Sequence, residues 1–254
     1  MSQDTADKPN ENDTVELSVI VPVFNEAENI KPLVSEIRTA LDDVINYEIL
    51  YVDDGSSDGT LTLLQALTAE IPCFRYVAHD GNFGQSAAVA SGVKSAHGRL
   101  IATLDGDGQN DPADISKLVD CLKAQTGGYR NSVLVVGRRK KRRDTWLKRI
   151  SSRVANGVRS RMLKDDTPDT GSGLKVFARS MFLELPMFDH MHRFLPALVL
   201  RNNGKVLSVE VNHRLRKSGQ SKYGLHNRLW VGIVDIFGVM WLQRRPIRPS
   251  IKER

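Results

Sequence analysis

Three aspartates lie within seven positions of the stretch ATLDGDGQNDP, directly after an apolar run: Asp105, Asp107 and Asp111. Glycines on either side of Asp107 let the backbone bend, so that carboxylates two positions apart can face the same point. A cation between them would offset their repulsion, and hard carboxylate oxygens suit Mg²⁺ or Mn²⁺. The pattern alone is just as typical of an aspartate-glycine turn that ends in a helix cap at Asp111.

A second acidic pair follows another apolar run in the stretch YVDDGSSDGT. Asp58 is placed to cap a helix that begins near Gly59. A turn needs only this aspartate and the glycines, so Asp53 and Asp54 at the strand end are left for another role. A carboxylate in that position can accept hydrogen bonds from a base N–H or a ribose hydroxyl. The pair therefore predicts a nucleotide-binding edge.

Short β-branched runs alternate with helical patterns between residues 17 and 137. The strand-like runs are LSVIVPVF, YEILYVDD, RLIATLD and SVLVVG, and ENIKPLVSEIRTAL and DGTLTLLQALTAE are helix-like. This alternation predicts an α/β fold with a Rossmann-like, mostly parallel sheet covered by helices. Ligands bind outside the carboxyl ends of such strands. We expect the polar residues after four of these runs to converge there: Asn25, Glu26, Asp53, Asp54, Asp105, Asp107, Arg138 and Arg139.

Composition and missing motifs narrow the class of protein. The 254 residues contain 36 Lys and Arg against 30 Asp and Glu, and this net charge of +6 favours anionic partners such as nucleotides, phospholipid surfaces or nucleic acid. Neither GxGxxG after the first strand nor GxxxxGK[ST] occurs, which disfavours a dinucleotide dehydrogenase or a P-loop nucleotidase. The two cysteines form no CxxC pair, so a zinc site or a disulfide framework is not expected.

The composition divides the chain into three parts. Residues 1–15 are predicted to be a disordered, polar lead-in, residues 16–225 the α/β domain, and residues 226–254 an apolar helix with a basic tail. No run of about 18 uncharged apolar residues occurs. The stretch LWVGIVDIFGVMWL contains Asp235, which predicts a buried or interfacial helix. Residues 138–164 carry twelve basic residues and one acid, which fits a membrane-surface helix or a core-packed helix with a solvated basic side.

Five motifs occur in the order typical of family 2 glycosyltransferases: VPVFNEAENI, VDDGSSDGT, DGDGQ, DTGSGLKVF and RKSGQSKYG. The chain resembles this family over about residues 17–242, and it looks most like the dolichyl- and polyprenyl-phosphate sugar synthases, of which dolichol-phosphate mannose synthase is one. The resemblance implies a GT-A fold with C-terminal amphipathic or interfacial helices. It also implies an inverting transfer of a sugar from a UDP- or GDP-linked donor to a polyprenyl phosphate at the cytoplasmic membrane face. A divalent metal, Mg²⁺ or Mn²⁺, would bind the donor diphosphate.

The resemblance also implies roles for single residues. The nucleotide-sugar would be bound by Pro22, Phe24, Glu26, Asp53, Asp54, Asp105 and Lys222. The metal would be held by Asp105, Asp107 and Gln109. Catalysis would depend on Asp107, Arg139 and Arg216. The acceptor phosphate would be bound by Arg139, Lys148, Arg149 and Ser152.

Two other functions remain compatible with the sequence. A glycosyltransferase that acts on a saccharide hydroxyl would need a general base such as Asp169, whereas an acceptor phosphate is already anionic and needs none. A basic nucleic-acid-binding protein would account for the charge, but it leaves the acids at the strand ends unexplained and has few aromatic residues for stacking on bases. We therefore expect a nucleotide-sugar, a polyprenyl phosphate and an anionic membrane surface as partners, and no nucleic acid.

Overall fold

Apolar, β-branched runs of the sequence form the strands of one sheet. The computed structural model describes residues 14–125, 132–139, 160–165, 167–214 and 225–246. Its strands are β1 (Leu17–Val23), β2 (Tyr47–Asp53), β3 (Phe74–Ala78), β4 (Leu100–Thr103), β5 (Val133–Arg139), β6 (Lys175–Ala178) and β7 (Lys205–Val211). Its α-helices are α1 (Ala27–Leu41), α2 (Thr60–Glu70), α3 (Gln85–Ser95), α4 (Ile115–Lys123), α5 (Arg179–Leu183), α6 (Leu195–Arg201) and α7 (Leu225–Gln243).

The sheet has the strand order β3-β2-β1-β4-β6-β5-β7. Strands β1, β2, β3 and β4 are mutually parallel, β5 is parallel to β7, and β6 runs antiparallel to both of its neighbours. Because β6 is the reversed strand between them, β4 and β5 point the same way. The carboxyl ends of β1, β2, β4 and β5 therefore lie at one edge, as the sequence predicts.

Two hydrophobic layers cover the sheet, one on each face. Successive side chains of a strand point to opposite faces: Val19 and Val21 of β1 lie in one core cluster, and Ile20 lies in the other. The first cluster includes residues of α1, α2 and α4, and the second includes residues of α3, α5, α6 and α7. Burial on both faces explains why these strands are apolar throughout instead of alternating with polar residues.

Among its described side chains, from residue 232 on, helix α7 packs on the domain through one side. Val239 is fully buried, and Ile236, Met240 and Leu242 pack against the second cluster. Two hydrogen bonds to backbone carbonyls fix the end of the helix: Arg201 Nε donates to Leu242 at 2.8 Å, and Gln243 Nε2 donates to Leu163 at 2.8 Å. Across the described ranges, we find no helix with the length and apolar character that a membrane span requires.

Several predicted features lie outside the described residues. These are the lead-in up to residue 13, most of the basic stretch 138–164 with Lys148, Arg149 and Ser152, and the stretch 215–224 with Arg216 and Lys222. Their predicted roles stay predictions.

The hydroxyl of Tyr51 gives a direct test of the packing of β2. Tyr51 is fully buried against Phe74, with ring centroids 5.3 Å apart, and its hydroxyl has no hydrogen-bond partner among the described residues. Burial raises the pKa of this hydroxyl. Since an unsatisfied buried polar group is unfavourable, we expect Tyr51→Phe to raise the free energy of unfolding by about 1 kcal/mol.

Tyr47 on the same strand is the matched control, because its hydroxyl donates to Asp42 Oδ1 at 2.6 Å. We expect Tyr47→Phe to lower the free energy of unfolding by about 1 kcal/mol. Urea unfolding of both variants measures the two changes. Destabilisation of equal size in both would contradict the packing described here.

Candidate active site

The loop after β4 carries Asp105 and Asp107 and lies against the end of β1. A side chain at Gly106 would come within 2.6 Å of Val23, so only glycine allows this close approach. The backbone N–H of Asp105 donates to Asn110 Oδ1 at 3.2 Å, and the N–H of Gln109 donates to Asp107 Oδ1 at 3.1 Å. These contacts hold Asp105 and Asp107 at the predicted edge of the sheet.

Among the described residues, acidic and basic groups act on Asp105 in opposite directions. Burial, and next the neighbouring Asp107 carboxylate, raise the pKa of Asp105. Lys175 and Arg139 act in the opposite direction. Lys175 begins β6, where it is buried and donates to the carbonyl of Ser172, and burial lowers its pKa. An additional cation beside Asp105 and Asp107 would therefore be stabilised.

The oxygen atoms of this loop fit a divalent metal that arrives together with a diphosphate. Within the described ranges, no three His, Cys, Asp or Glu side chains come together as a metal site. The protein would thus supply the carboxylates of Asp105 and Asp107, with the amide of Gln109 nearby. Mg²⁺ is commonly bound in this way, by one or two carboxylates with substrate phosphates and water completing its shell.

The ends of β1 and β2 form the neighbouring part of the edge. Asp53 is buried at the end of β2, where its Oδ1 accepts a hydrogen bond from the N–H of Ser56 at 3.1 Å. The side chain of Asn25, a residue with φ of 53°, accepts from the N–H of Ser57 at 2.7 Å. Glu26 accepts from the side chain of Asn29 at 2.6 Å, at the start of α1. Pro22 lines a cavity together with Asp105, and Phe24 lies at the end of β1.

The carboxylate of Asp54 accepts hydrogen bonds from neighbouring groups of the protein. Its Oδ1 accepts from the N–H of Phe83 at 2.9 Å and its Oδ2 from the N–H of Gly84 at 2.7 Å. His79 Nδ1 lies 2.8 Å from Oδ1, and because an ionised carboxylate only accepts, the histidine ring donates. Asp54 therefore fixes the loop before α3, a contact that the predicted role in nucleotide binding does not include.

Arg139 and Asp169 form a bidentate ion pair at the end of β5. Arg139 Nε donates to Asp169 Oδ2 at 2.6 Å, and an Nη donates to Oδ1 at 2.7 Å. Both side chains are largely buried, which strengthens such a pair and fixes the plane of the guanidinium group. Asp169 also accepts at its backbone carbonyl from Ser172, at 3.4 Å, within a turn. It is thus both a turn residue and the partner of Arg139.

Sequence reasoning missed three residues that the structure places beside Asp105. Gln85, Lys175 and His192 line a cavity of about 20 Å³ together with Asp105, enough for about one water molecule. Burial, and next the Lys175 ammonium, lower the pKa of His192 to about 3, so its ring is neutral. The lysine inside the apolar run LKVFA was the clearest available signal, because a strand in a covered sheet rarely holds an unpaired charge.

The chain after β7 is tied to the same loop. The N–H of Arg214 donates to the carbonyl of Gln109 at 3.0 Å, and its guanidinium group contacts Glu36 at 2.5 Å and Asp111 at 2.6 Å.

This combination defines a class of protein: an α/β domain with acidic side chains gathered at the carboxyl ends of its central strands. The chain matches the profile of glycosyl transferase family 2 over residues 18–185. It belongs to this family.

Curated relatives support the same conclusion. The chain is 38% identical to the dodecaprenyl-phosphate galacturonate synthase of Rhizobium johnstonii over 245 residues, which cover 93% of this chain and 70% of the relative. It is 33% identical to the undecaprenyl-phosphate 4-deoxy-4-formamido-L-arabinose transferase of Aeromonas hydrophila, over 85% of this chain and 65% of that protein. The chain thus spans about two thirds of the length of these relatives.

Solved structures share the fold. Glucosyl-3-phosphoglycerate synthase of Mycobacterium tuberculosis, in complex with Mn²⁺, UDP-glucose and phosphoglyceric acid, has a TM-score of 0.64 and 16% identity over 90% of this chain and 79% of that chain. The mannosyltransferase PcManGT of Pyrobaculum calidifontis, in complex with GDP-mannose and Mn²⁺, has a TM-score of 0.63 and 20% identity over 95% and 69%. The predicted family and the predicted GT-A α/β fold are therefore confirmed.

Gly173 tests the position of Asp105. A side chain at Gly173 would overlap the Asp105 carboxylate, whereas one at Gly171 would meet its nearest atom, on Arg139, at an ordinary 3.6 Å. We expect Gly173→Ala to displace the carboxylate and to lower glycosyl transfer about a hundredfold, since small misplacements in an active site have effects of this size. Gly171→Ala is the matched control in the same turn and should retain activity. Comparable activities of the two folded variants, measured as sugar release from the donor, would show that Asp105 is not needed in this position.

Proposed function

We propose that this chain transfers a sugar from a nucleotide-sugar to a polyprenyl phosphate, with inversion at the anomeric carbon. The observation that carries the choice of acceptor is the ion pair between Arg139 and Asp169. A hydroxyl acceptor would need a general base, and Asp169 was the candidate. Both of its carboxylate oxygens accept hydrogen bonds from a guanidinium group, which makes it a poor base. A phosphate acceptor needs no base, and the curated relatives are named for polyprenyl phosphates.

On the donor side, Asp53 would hydrogen-bond the base while Pro22, Phe24 and Glu26 line the nucleoside. Asp105 and Asp107 with Gln109 would hold Mg²⁺ or Mn²⁺ against the donor diphosphate, and the ion would stabilise the charge that develops on the leaving group. The solved structures of the same fold contain Mn²⁺ or Mg²⁺, which supports the choice of metal. Arg216 and Lys222 would bind the same diphosphate from the chain that follows Arg214.

On the acceptor side, Arg139 would bind the incoming phosphate. Asp169 holds its guanidinium plane through Nε and one Nη. A fixed guanidinium group offsets the repulsion between the phosphate and the donor diphosphate, and it aligns the attacking oxygen with the anomeric carbon. Lys148, Arg149 and Ser152 are proposed to add further contacts to the acceptor.

The decisive experiment offers the purified protein two acceptors, undecaprenyl phosphate and a saccharide with free hydroxyl groups, with UDP- and GDP-sugars. We expect a glycolipid phosphate as the product, identified by mass. Arg139→Ala should lower transfer to the lipid about a hundredfold, as loss of one preorganised charge contact can, with donor affinity much less affected. Arg139→Lys should lower it less, because it keeps the charge but loses the planar fork. Transfer to the saccharide alone would establish the hydroxyl-acceptor enzyme instead.

We further propose that the protein is peripheral on the inner face of the cell membrane, where a nucleotide-sugar and a lipid phosphate can meet. Its support is the outer side of α7, where Ile233, Val234, Phe237 and Trp241 are exposed at helical spacing. Arg245 lies over the Trp241 ring, 5.9 Å from its centroid, so a basic group flanks this apolar stripe. An apolar stripe beside basic residues is typical of a helix that lies on an anionic membrane surface.

Phe237 and Trp241 are 59% and 60% exposed, so replacing them should leave the core intact. We expect the double variant Phe237→Ser/Trp241→Ser to bind anionic phospholipid vesicles at least roughly tenfold more weakly, since burial of one large apolar side chain contributes about 1.5–3 kcal/mol. Vesicle sedimentation measures the binding. Val44→Ser is the matched control, because Val44 is 62% exposed in the turn between α1 and β2. Unchanged binding of the double variant, or an equal loss in the control, would argue against this surface.

A further inference from the structure

We propose that Asp54 and Gln85 form a positioning chain that orients the carboxylate of Asp105 for the metal and the donor diphosphate. The inference rests on the metal-assisted donor site proposed above. It gives Asp54 a role through the protein instead of through contact with the nucleotide, and it adds Gln85 to the residues on which the donor site depends.

The first link is a direct contact with the acid. Gln85 Nε2 donates to Asp105 Oδ1 at 2.9 Å. An amide donor to one carboxylate oxygen fixes the rotation of the group and leaves the carboxylate charged, which is how outer partners orient metal ligands. On the other side of the carboxylate lies Gly173, where any larger residue would overlap Asp105. The Asp105 carboxylate thus lies between the side-chain amide of Gln85, which donates to it, and the backbone of Gly173.

The second link fixes Gln85 itself. It is the first residue of α3, and it follows Gly84, whose φ of +87° sets the direction in which the helix begins. The N–H groups of Phe83 and Gly84 both donate to Asp54, at 2.9 and 2.7 Å. The residue directly before Gln85 is therefore held by a buried carboxylate at the end of β2.

The third link consists of further contacts that hold Asp54 and α3 in place. His79 bridges two partners, because its Nδ1 donates to Asp54 at 2.8 Å and its Nε2 lies 2.9 Å from the hydroxyl of Ser91 on α3. Ser86 directly follows Gln85, and its hydroxyl lies 2.7 Å from His192 Nδ1. The first turn of α3 is therefore fixed on both sides of Gln85, and a change at Asp54 reaches Asp105 through one loop.

The contacts indicate different functions for the two consecutive acids, Asp53 and Asp54. Asp53 accepts from the N–H of Ser56 in the turn after β2, and its proposed partner is the base, whereas Asp54 accepts from the loop that leads to Gln85. Loss of either Asp54 or Gln85 should therefore weaken the part of nucleotide binding that depends on the metal. It should leave the part that depends on the nucleoside unchanged.

The test is calorimetric titration of the 254-residue protein with UDP and with GDP, in Mn²⁺ and in excess chelator. Gln85→Leu keeps the volume of the side chain but removes its amide. We expect this variant to reduce the factor by which Mn²⁺ raises nucleotide affinity about tenfold or more, as loss of an outer partner of a metal ligand does. Affinity in chelator should not change. The electron paramagnetic resonance spectrum of bound Mn²⁺ should report the altered coordination. Gln65→Leu, an exposed glutamine on α2, is the matched control and should behave as the wild type.

Asp54→Asn tests the rest of the chain. Because Asp54 is proposed to act through Gln85, the double variant Asp54→Asn/Gln85→Leu should lose no more Mn²⁺-dependent affinity than the more impaired single variant. Additive losses would overturn the chain, and full Mn²⁺-dependent binding in Gln85→Leu would overturn it even if Asp54→Asn does not fold. A wild-type protein that binds nucleotide equally with and without Mn²⁺ would overturn the proposed metal site, and this inference with it.

Discussion

The carboxyl end of β4 has to satisfy two opposing demands, and the surrounding structure is arranged around them. The strand lies in the middle of a sheet covered on both faces, so all four of its residues are buried and the first three are apolar. It nevertheless leads into Asp105, with Asp107 two residues later. Charge in such a place is unfavourable unless donors and cations compensate it. They come from elements distant in sequence: the amide of Gln85 on α3 and the ammonium group of Lys175 on β6.

Within the described residues the compensation is incomplete, and this has a consequence for the ligand. In the cluster formed by Asp105, Lys175 and the charged groups that act on them, the carboxylates of Asp105, Asp107 and Asp169 outnumber the cations Lys175 and Arg139 by one. A diphosphate in contact with these five groups alone would meet a net negative charge. A divalent cation beside Asp105 and Asp107 would reverse the sign, as the metal-assisted donor site proposed above requires.

Much of the fold could be predicted because the strands β1, β2, β4 and β5 are continuous apolar runs that end on polar residues. Two features could not be predicted in this way. Strand β6 has only four residues and begins with Lys175, and β7 is partly exposed, so neither has the pattern of a covered strand. The insertion of β6 between β4 and β5 is a pairing across some 70 positions, for example Thr103 with Lys175, which local propensity does not encode.

The site could be predicted where acids end apolar runs, because such residues are conspicuous in sequence. Gln85, Lys175 and His192 were missed because amides, single lysines and histidines are common at positions with no function. Their importance arises only from the packing of α3, β6 and the turn before α6 around Asp105.

Asp53 and Asp54 show that one further feature of the candidate site could have been predicted from the geometry of a strand alone. Successive residues of a strand point to opposite sides, and β2 continues its extended course up to Asp53. Two consecutive acids at its end therefore cannot both face one nucleotide without a bend between them. Asp53 accepts from the turn on its own side, at Ser56, and Asp54 accepts from the loop that leads to α3. The alternation that identifies the strand is thus consistent with two carboxylates that contact different elements, the turn after β2 and the loop before α3.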